Sequence, residues 1–328
     1  MKKVLHVGLD VGSTTVKIIV MDEIQNTIYK DYQRHFSDTK NTVCNVLENL
    51  AKMYPENTFT IALTGSGAMS ASKFLGVEFI QEVVSCKRSV EKYIPQTDVV
   101  IELGGEDAKI IYFGKSIEQR MNGTCAGGTG AFLDQMASLL HTDTAGLNEL
   151  ARNHKTIYPI ASRCGVFAKT DIQPLINEGA AKEDIAASIF QAVVNQTISG
   201  LACGKPIRGK VAFLGGPLYF LDQLRARFID SLNLKDEDVI FPQNSQLFVA
   251  MGACLLARED KVNKTTIDEL VYILDSLKDG ISDETDTLKP LFETEEDRIE
   301  FRNRHYRTKV KKRDLNTYEN ISMPDFSN

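Results

Sequence analysis

"LDVGSTTVKII" (residues 9–19) and "IELGGEDAKII" (residues 101–111) decide the fold. Laid one under the other without a gap, 92 residues apart, they put Asp10 on Glu102, Gly12 on Gly104 and Ser13 on Gly105. Lys17 then falls on Lys109, and Ile18–Ile19 on Ile110–Ile111. Each segment reads as strand, glycine turn, strand, with a carboxylate just before the turn. Such a carboxylate can hold a Mg2+-bound water while the turn's amides and hydroxyls point at phosphate oxygens. One glycine hairpin is more often only a turn. Two in register imply duplicated lobes facing each other across one cleft, clamping a nucleotide's phosphates from both sides.

A third glycine element, "FLGGPLYF" (213–220), ends a strand and opens a helix, and its glycines allow close backbone approach to a flat ring or a ribose. Around these three elements the patterning predicts strands from Val4 to Lys30, a helix over 39–53, a strand over 59–63, and helices near 67–74 and 82–93. Three more strands occupy 98–121. Helices follow at 131–140, 145–152 and 182–201, the last with Ile185, Ile189, Val193 and Ile198 on one stripe. Strands "KVAFL" and "DVIF" and a helix over 245–257 complete the body. Antiparallel hairpins mixed with βα units indicate α/β architecture. The expected domains are lobe I over 1–95, lobe II over 96–244, a helix returning to lobe I over 245–260, and a charged tail over 261–328. In that tail, 264–277 reads as an amphipathic helix with Thr266 and Glu269 as a capping box. An acidic block over 283–300 and then "RNRHYRTKVKKR" suggest a solvated helical appendage or linker.

Composition narrows the function classes. The 328 residues suffice for two sizeable cores, and 43% apolar with 25% charged residues is ordinary for a globular chain. A net charge of −6, with no base-stacking motif, argues against a nucleic-acid partner. No apolar run approaches the roughly 18 residues that span a bilayer, so no membrane location is expected. Six cysteines without a CxxC pair make neither a disulfide scaffold nor a zinc ribbon, and a reducing cytoplasm is expected.

Cys125 lies in "NGTCAGGTG" (122–130), a glycine-rich run just ahead of an apolar helical stretch. Such a loop favours an anion, yet phosphate needs no thiol. The duplicated hairpins and "GGP" together resemble the superfamily of acetate and sugar kinases, actin and heat-shock chaperone ATPases, over about residues 3–257. That resemblance implies an actin-like (ribonuclease H-like) fold of two lobes around a nucleotide cleft. It places phosphate-1 at Asp10, Gly12, Ser13, Thr14 and Thr15 with Lys17 nearby, phosphate-2 at Glu102–Asp107 with Gly104 and Gly105, and adenosine near Gly215, Gly216 and Pro217.

Within the superfamily, "NGTCAGGTGAFLDQMA" and "ASRCGVFAKTDI" resemble one branch: the ATP-dependent activators of 2-hydroxyacyl-CoA dehydratases, which also holds the ATPase subunits of benzoyl-CoA reductases. The resemblance implies a homodimer sharing one [4Fe–4S] cluster, with Cys125 and Cys164 as ligands in each chain. It implies ATP/ADP and Mg2+ as further cofactors, a flavodoxin- or ferredoxin-like donor, and an iron–sulfur dehydratase or reductase as acceptor. Four thiolates from two chains suit such a cluster. A helix N-terminus favours its negative charge, and Gly127, Gly128, Thr129 and Gly130 would let that helix approach closely. Asp10 and Glu102 are the expected Mg2+ positions, with Glu106 and Asp107 as candidates for aligning water. The family's second phosphate motif more often reads with Asp and Gln where Glu102 and Glu106 stand. Glu102 lengthens the reach to metal, and Glu106 adds negative charge near phosphate.

Cys44 and Cys254 sit on apolar stripes and are expected in the core, while Cys86 and Cys203 are assigned structural roles. The "ELGGED" form and charged tail resemble a subgroup in which this domain begins a longer fused protein with a second ATPase domain. A small-molecule kinase of the same superfamily, or a non-catalytic ATP switch, are the alternative readings.

Overall fold

The computed structural model describes residues 3–122, 127–162, 164–259, 264–266, 269, 272 and 289–307. Cys125, Arg163 and most of 267–288 lie outside the described residues, as does the sequence after 307. Two compact units are separated at residue 280.

In the larger unit, the first hairpin becomes β1 (Val4–Val11) and β2 (Thr15–Met21), followed by β3 (Thr27–Arg34). Helix α1 (Thr39–Met53) leads to β4 (Thr58–Thr64), then come α2 (Ala68–Leu75), β5 (Glu78–Phe79) and α3 (Glu82–Tyr93). The second hairpin is β6 (Val99–Leu103) and β7 (Ala108–Tyr112), followed by β8 (Glu118–Met121). Helices α4 (Gly130–Leu139), α5 (Thr144–Ala151), α6 (Gly165–Asn177) and α7 (Lys182–Asn195) follow. Strand β9 (Val211–Leu214) opens α8 (Gly216–Phe220) and α9 (Asp222–Leu232), and β10 (Val239–Ile240) precedes α10 (Phe248–Glu259).

The two sheets repeat one another. In the first, the order β4-β1-β2-β3 has β1 parallel to β4 and antiparallel to β2; in the second, β9-β6-β7-β8 has the same senses. The registers coincide partner for partner. Asp10 faces Lys17 and Val11 faces Val16, just as Glu102 faces Lys109 and Leu103 faces Ala108. The turns match too: Gly12 N–H donates to Thr15 O at 2.9 Å, and Gly104 N–H to Asp107 O at 2.7 Å.

Both faces of β6 are covered, which explains its continuous apolar run. Val99, Ile101 and Leu103 join the helices of lobe II, while Val100 and Ile111 join Ile19, Met21 and α10 in a core between the sheets. Alternation along the strands therefore carries Asp10, Lys17, Glu102 and Lys109 onto the inner faces. Within this inner layer α3 and α10 cross closely. A Cβ on Gly252 would sit 1.7 Å from the Ser85 carbonyl oxygen, so only glycine permits the contact.

Some elements depart from the sequence reading. Helix α6, begun by Cys164, was not anticipated. The helix expected over 264–277 is preceded by β11 (Lys264–Thr265), which pairs antiparallel with β4. The expected capping box is present: Thr266 N–H donates to Glu269 Oε2 at 2.8 Å, and Glu269 N–H to Thr266 Oγ1 at 3.3 Å. Most of the remaining helix expectation lies outside the described residues. Helix α7 continues through a π-helical turn, Gln196–Ala202. Contrary to the expectation for apolar runs, Lys182–Ala202 is long and apolar enough to cross a bilayer by composition, but 67% of that window is buried in the body, the environment of a core helix.

The smaller unit contains a helix, Glu295–Arg307, exposed over 295–306. Thr294 and Asp297 cap it reciprocally at 3.0 and 3.2 Å, and Phe292 packs on Phe301 at 5.2 Å between ring centroids.

Candidate nucleotide cleft and cysteine loop

A cavity of about 430 Å3 opens where the two hairpins meet. Of the expected phosphate and adenosine residues, Asp10, Thr14, Thr15, Lys17, Glu102, Gly104 and Gly105 line it, together with Gly215, Gly216 and Pro217. The two turns touch. A Cβ on Gly105 would meet Thr14 Oγ1 at 2.2 Å, so the Thr14 side chain packs directly on the Gly105 backbone at the expected phosphate position. Gly215 adopts φ +90°, and its missing Cβ leaves room for the Leu103 carbonyl oxygen 2.1 Å from where that atom would be. This bend aims α8 at the cavity.

The duplicated hairpins are not electrostatic copies. Lys17 Nζ donates to Asp10 Oδ2 at 2.7 Å, straight across the ladder. Burial alone would push Lys17 down, but Asp10 and Tyr32 hold its ammonium above the usual range. Lys109 turns away from its ladder partner and pairs with Asp107 and with Glu82, the first residue of α3. Among the described residues, Glu102 Oε2 is left buried without a hydrogen-bond partner. Burial pushes the Glu102 carboxyl up to about 7, against the pull of Lys109. Burial also acts upward on Asp107, yet Lys109 outweighs it and holds that carboxyl below its ordinary value. An orphaned carboxylate oxygen on the wall of a phosphate-sized cavity is a donor that suits a hard divalent cation.

Other expected residues stand off the cavity wall. Gly12 closes the first turn, and its carbonyl lies 3.1 Å from His35 Nε2. Ser13 is half-buried. Glu106 is exposed, and its backbone carbonyl accepts from Asn122 Nδ2 at 3.0 Å. Asp107 is occupied by Lys109. Sequence reasoning missed Tyr32, Arg34, Asp134, Phe220 and Gln246, which also line the cavity. Arg34 on β3 pairs with Asp134 on α4, joining the lobes at the cavity. Tyr32, Arg34 and Gln246 lie outside the quoted glycine stretches, while Phe220 ends "FLGGPLYF" and Asp134 follows the cysteine loop within "NGTCAGGTGAFLDQMA", where nothing local marked either as a cavity residue.

The cysteine elements converge on a second spot. Gly127, Gly128, Phe132, Cys164, Gly165 and Gln196 surround a cavity of about 10 Å3. Cys164 is a half-buried free thiol at the N-cap of α6, with no side chain capping the first turn. Beside it, Val166 and Phe167 are exposed at 71% and 65%, an apolar surface unusual for a first turn. Thr129 is buried at the N-cap position of α4, whose first amides bind the second hairpin: Gly130 N–H to Gly104 O at 3.0 Å and Ala131 N–H to Gly105 O at 2.8 Å. The loop after Cys125 is thus bonded to the expected phosphate-2 turn. Cys125 itself lies outside the described residues. Cys164, beside Gly127 and Gly128 and at the start of α6, is the one expected ligand thiol among the described residues, and those residues include no group of three or more His, Cys, Asp or Glu side chains that could hold a metal ion. Among the other cysteines, Cys44 and Cys254 are buried, as expected for core positions; of the two assigned structural roles, Cys86 is buried, whereas Cys203 is exposed and has no buried setting.

Comparison with known proteins agrees with this geometry. A 2-hydroxyisocaproyl-CoA dehydratase activator from Clostridioides difficile is 30% identical over 259 residues, covering 77% of this chain and 94% of that protein. The (R)-2-hydroxyglutaryl-CoA dehydratase activating ATPase of Acidaminococcus fermentans is 33% identical over 215 residues, 64% of this chain and 81% of that one. The solved activator of the 2-hydroxyisocaproyl-CoA dehydratase from Clostridium difficile with bound ADPNP has a TM-score of 0.68 at 26% identity, covering 86% of this chain and 100% of that structure. The model of the BadF/BadG/BcrA/BcrD ATPase family matches residues 7–257. With its twin hairpins, actin-like lobes and nucleotide-sized cleft, the chain belongs to the BadF/BadG/BcrA/BcrD ATPase family.

Proposed function

We propose that this chain is an ATP-dependent one-electron activator working as a homodimer. Cys125 and Cys164 of each copy would hold a shared [4Fe–4S] cluster, and the acceptor would be an iron–sulfur dehydratase or reductase of the 2-hydroxyacyl-CoA type. When bound, the cluster supplies a one-electron store whose potential follows exposure and hydrogen bonding. The observation that carries the reading is the direct bonding of α4 to Gly104 and Gly105, with Gly127 and Gly128 beside Cys164.

The residues divide the work. Asp10 and Glu102 would position Mg2+, and Thr14, Thr15, Gly104 and Gly105 would hold phosphate oxygens, with Gly215–Pro217 against the nucleoside and Gly12 closing the first turn behind them. Lobe I (1–95) and lobe II (96–244), linked by 245–260, would close on ATP by a hinge motion. Through the α4 amides that closure would move the Cys125 loop relative to Cys164. The exposed Val166 and Phe167 fit burial against the second copy. A flavodoxin- or ferredoxin-like protein would supply the electron, in a reducing compartment, and the charged sequence beyond β11 would take no part in the cleft chemistry.

Anaerobic purification with iron and sulfide assays tests this. Brown protein with about four irons per two chains, lost in Cys125→Ser, is the expected result. Colourless protein that phosphorylates a small molecule would overturn the activator reading.

A further inference from the structure

His35, the residue after β3, is 6% exposed, stands off the cavity wall, and is bonded at both ring nitrogens. Its neighbours fix its tautomer. The Ser37 N–H reaches Nδ1 at 3.1 Å, and a backbone amide can only donate, so Nδ1 accepts. The Gly12 carbonyl lies 3.1 Å from Nε2 and can only accept, so Nε2 carries the proton and donates. The His35 backbone N–H donates in turn to the Thr14 carbonyl at 3.1 Å. One residue thus grips the first phosphate turn at two carbonyls, on either side of Ser13.

The backbone after His35 is strained in making this grip. Phe36 and Ser37 adopt φ of +46° and +67°, the left-handed region that residues with a Cβ rarely enter, and here they do so in succession. Such strain persists only where surrounding contacts hold it. Burial of the Phe36 ring is not the reason, because that side chain is 82% exposed. What the turn achieves is to fold the Ser37 N–H back onto the imidazole and the Asp38 N–H onto the His35 carbonyl at 2.7 Å. Asp38 is also the N-cap of α1, so the ring is oriented from the β3–α1 connection.

The second hairpin shows what the grip is for. Gly104, the counterpart of Gly12, has its carbonyl held by the Gly130 N–H at the start of α4. In lobe I an imidazole takes the place of that helix amide. The Gly12 N–H bond to Thr15 fixes the shape of the first turn, whereas His35 ties the turn to chain outside the hairpin. Thr14 and Thr15 line the cavity, and the Thr14 side chain packs on the Gly105 backbone where the hairpins meet.

We propose that His35 is a positioning residue for the phosphates: it holds the Gly12 carbonyl from behind, so that Thr14 and Thr15 stand at the phosphate position. This rests on the nucleotide reading of the cleft and adds to it a side chain that no glycine motif contains.

Calorimetric titration of the purified chain with ADP and with adenosine, which lacks the phosphates, tests it. His35→Ala should lower ADP affinity about tenfold, the worth of one buried hydrogen bond, and leave adenosine within about twofold of the wild type. His35→Gln places an amide N–H near the Nε2 position and should bring ADP affinity back to within about threefold. His35→Asn is one methylene shorter, cannot reach the Gly12 carbonyl, and should behave like His35→Ala. The Gln and Asn pair decides the matter if the Ala variant does not fold. Equal losses of ADP and adenosine, unchanged ADP affinity in the Ala variant, or a Gln variant no better than Asn overturns the inference and leaves the nucleotide cleft intact. A wild type that binds neither compound overturns both.

Discussion

Glu102 offers a sharp test of the asymmetry between the hairpins, because its charge costs folding energy that pH can relieve. Burial raises its carboxyl from 4.5 to about 7. Between those values the folded chain keeps a proton that the unfolded chain has already released. Stability therefore falls as pH rises through that window and levels off above about 7. At about 1.4 kcal/mol per pH unit the effect approaches about 3 kcal/mol. Glu102→Gln keeps the shape and removes the titration. The Gln variant should therefore gain on the wild type as pH rises from 5 to 8. At roughly 2 °C per kcal/mol for a chain of this size, the separation between the two melting temperatures should change by about 6 °C. Glu82 is also raised by burial and shifts stability in the same direction in both proteins, and the loss of its repulsion with Glu102 in the variant acts on both carboxyls together. The assay is thermal unfolding by circular dichroism in the absence of nucleotide and metal. A separation that stays constant from pH 5 to pH 8 would refute the argument that Glu102 lacks a compensating partner.

The two phosphate turns should respond unequally to added methyl groups. A Cβ on Gly12 meets nothing closer than 3.5 Å, whereas one on Gly105 meets Thr14 at 2.2 Å; Gly12→Ala should keep ADP affinity within about threefold while Gly105→Ala loses about tenfold or more, for an overpacking cost of about 1–3 kcal/mol, and equal affinities would contradict it. Gly252→Ala should lower the melting temperature by at least about 5 °C, because the clash is with the Ser85 backbone and not with a side chain that can rotate; an unchanged melt would mean that α3 and α10 do not touch. Cys164→Ser should lose most iron in anaerobic assay while keeping ADP affinity, and Cys254→Ser, buried against the His6 carbonyl at 3.1 Å, should keep its iron despite lower stability. Iron retained in the Cys164 variant would remove that residue from the ligand set.

The parts of the fold legible in sequence are those written in short periods. The hairpin repeat could be read because strand alternation and turn chemistry act over about ten residues, and the observed registers agree pair by pair. Helix α6 escaped because Pro174 interrupts it and few of its side chains, Ala168 and Ile172, are buried, which leaves little apolar periodicity. Strand β11 is two residues long and exists through its pairing with β4, a partner about 200 residues earlier that no local pattern announces. The cleft shows the same division. Its glycine turns were visible, but Arg34, Asp134, Phe220 and Gln246 arrive from separate elements and become a site only after the lobes assemble. The allegiance of Lys109 is also invisible in sequence, since Glu82 comes from a helix that belongs to the other half.

That single lysine gives the cleft a direction. Two identical hairpins facing one another would form a clamp with no preferred way round, able to seat a chain of phosphates in either sense. Evolution by copying would deliver such a clamp. Because Lys17 stays with its own acid while Lys109 has been drawn away by Glu82 and Asp107, one jaw is neutralised and the other is left hungry for a cation. On the proposed reading, a polyphosphate carrying its metal toward one end would be read head from tail. The copy has become a lock with a keyway.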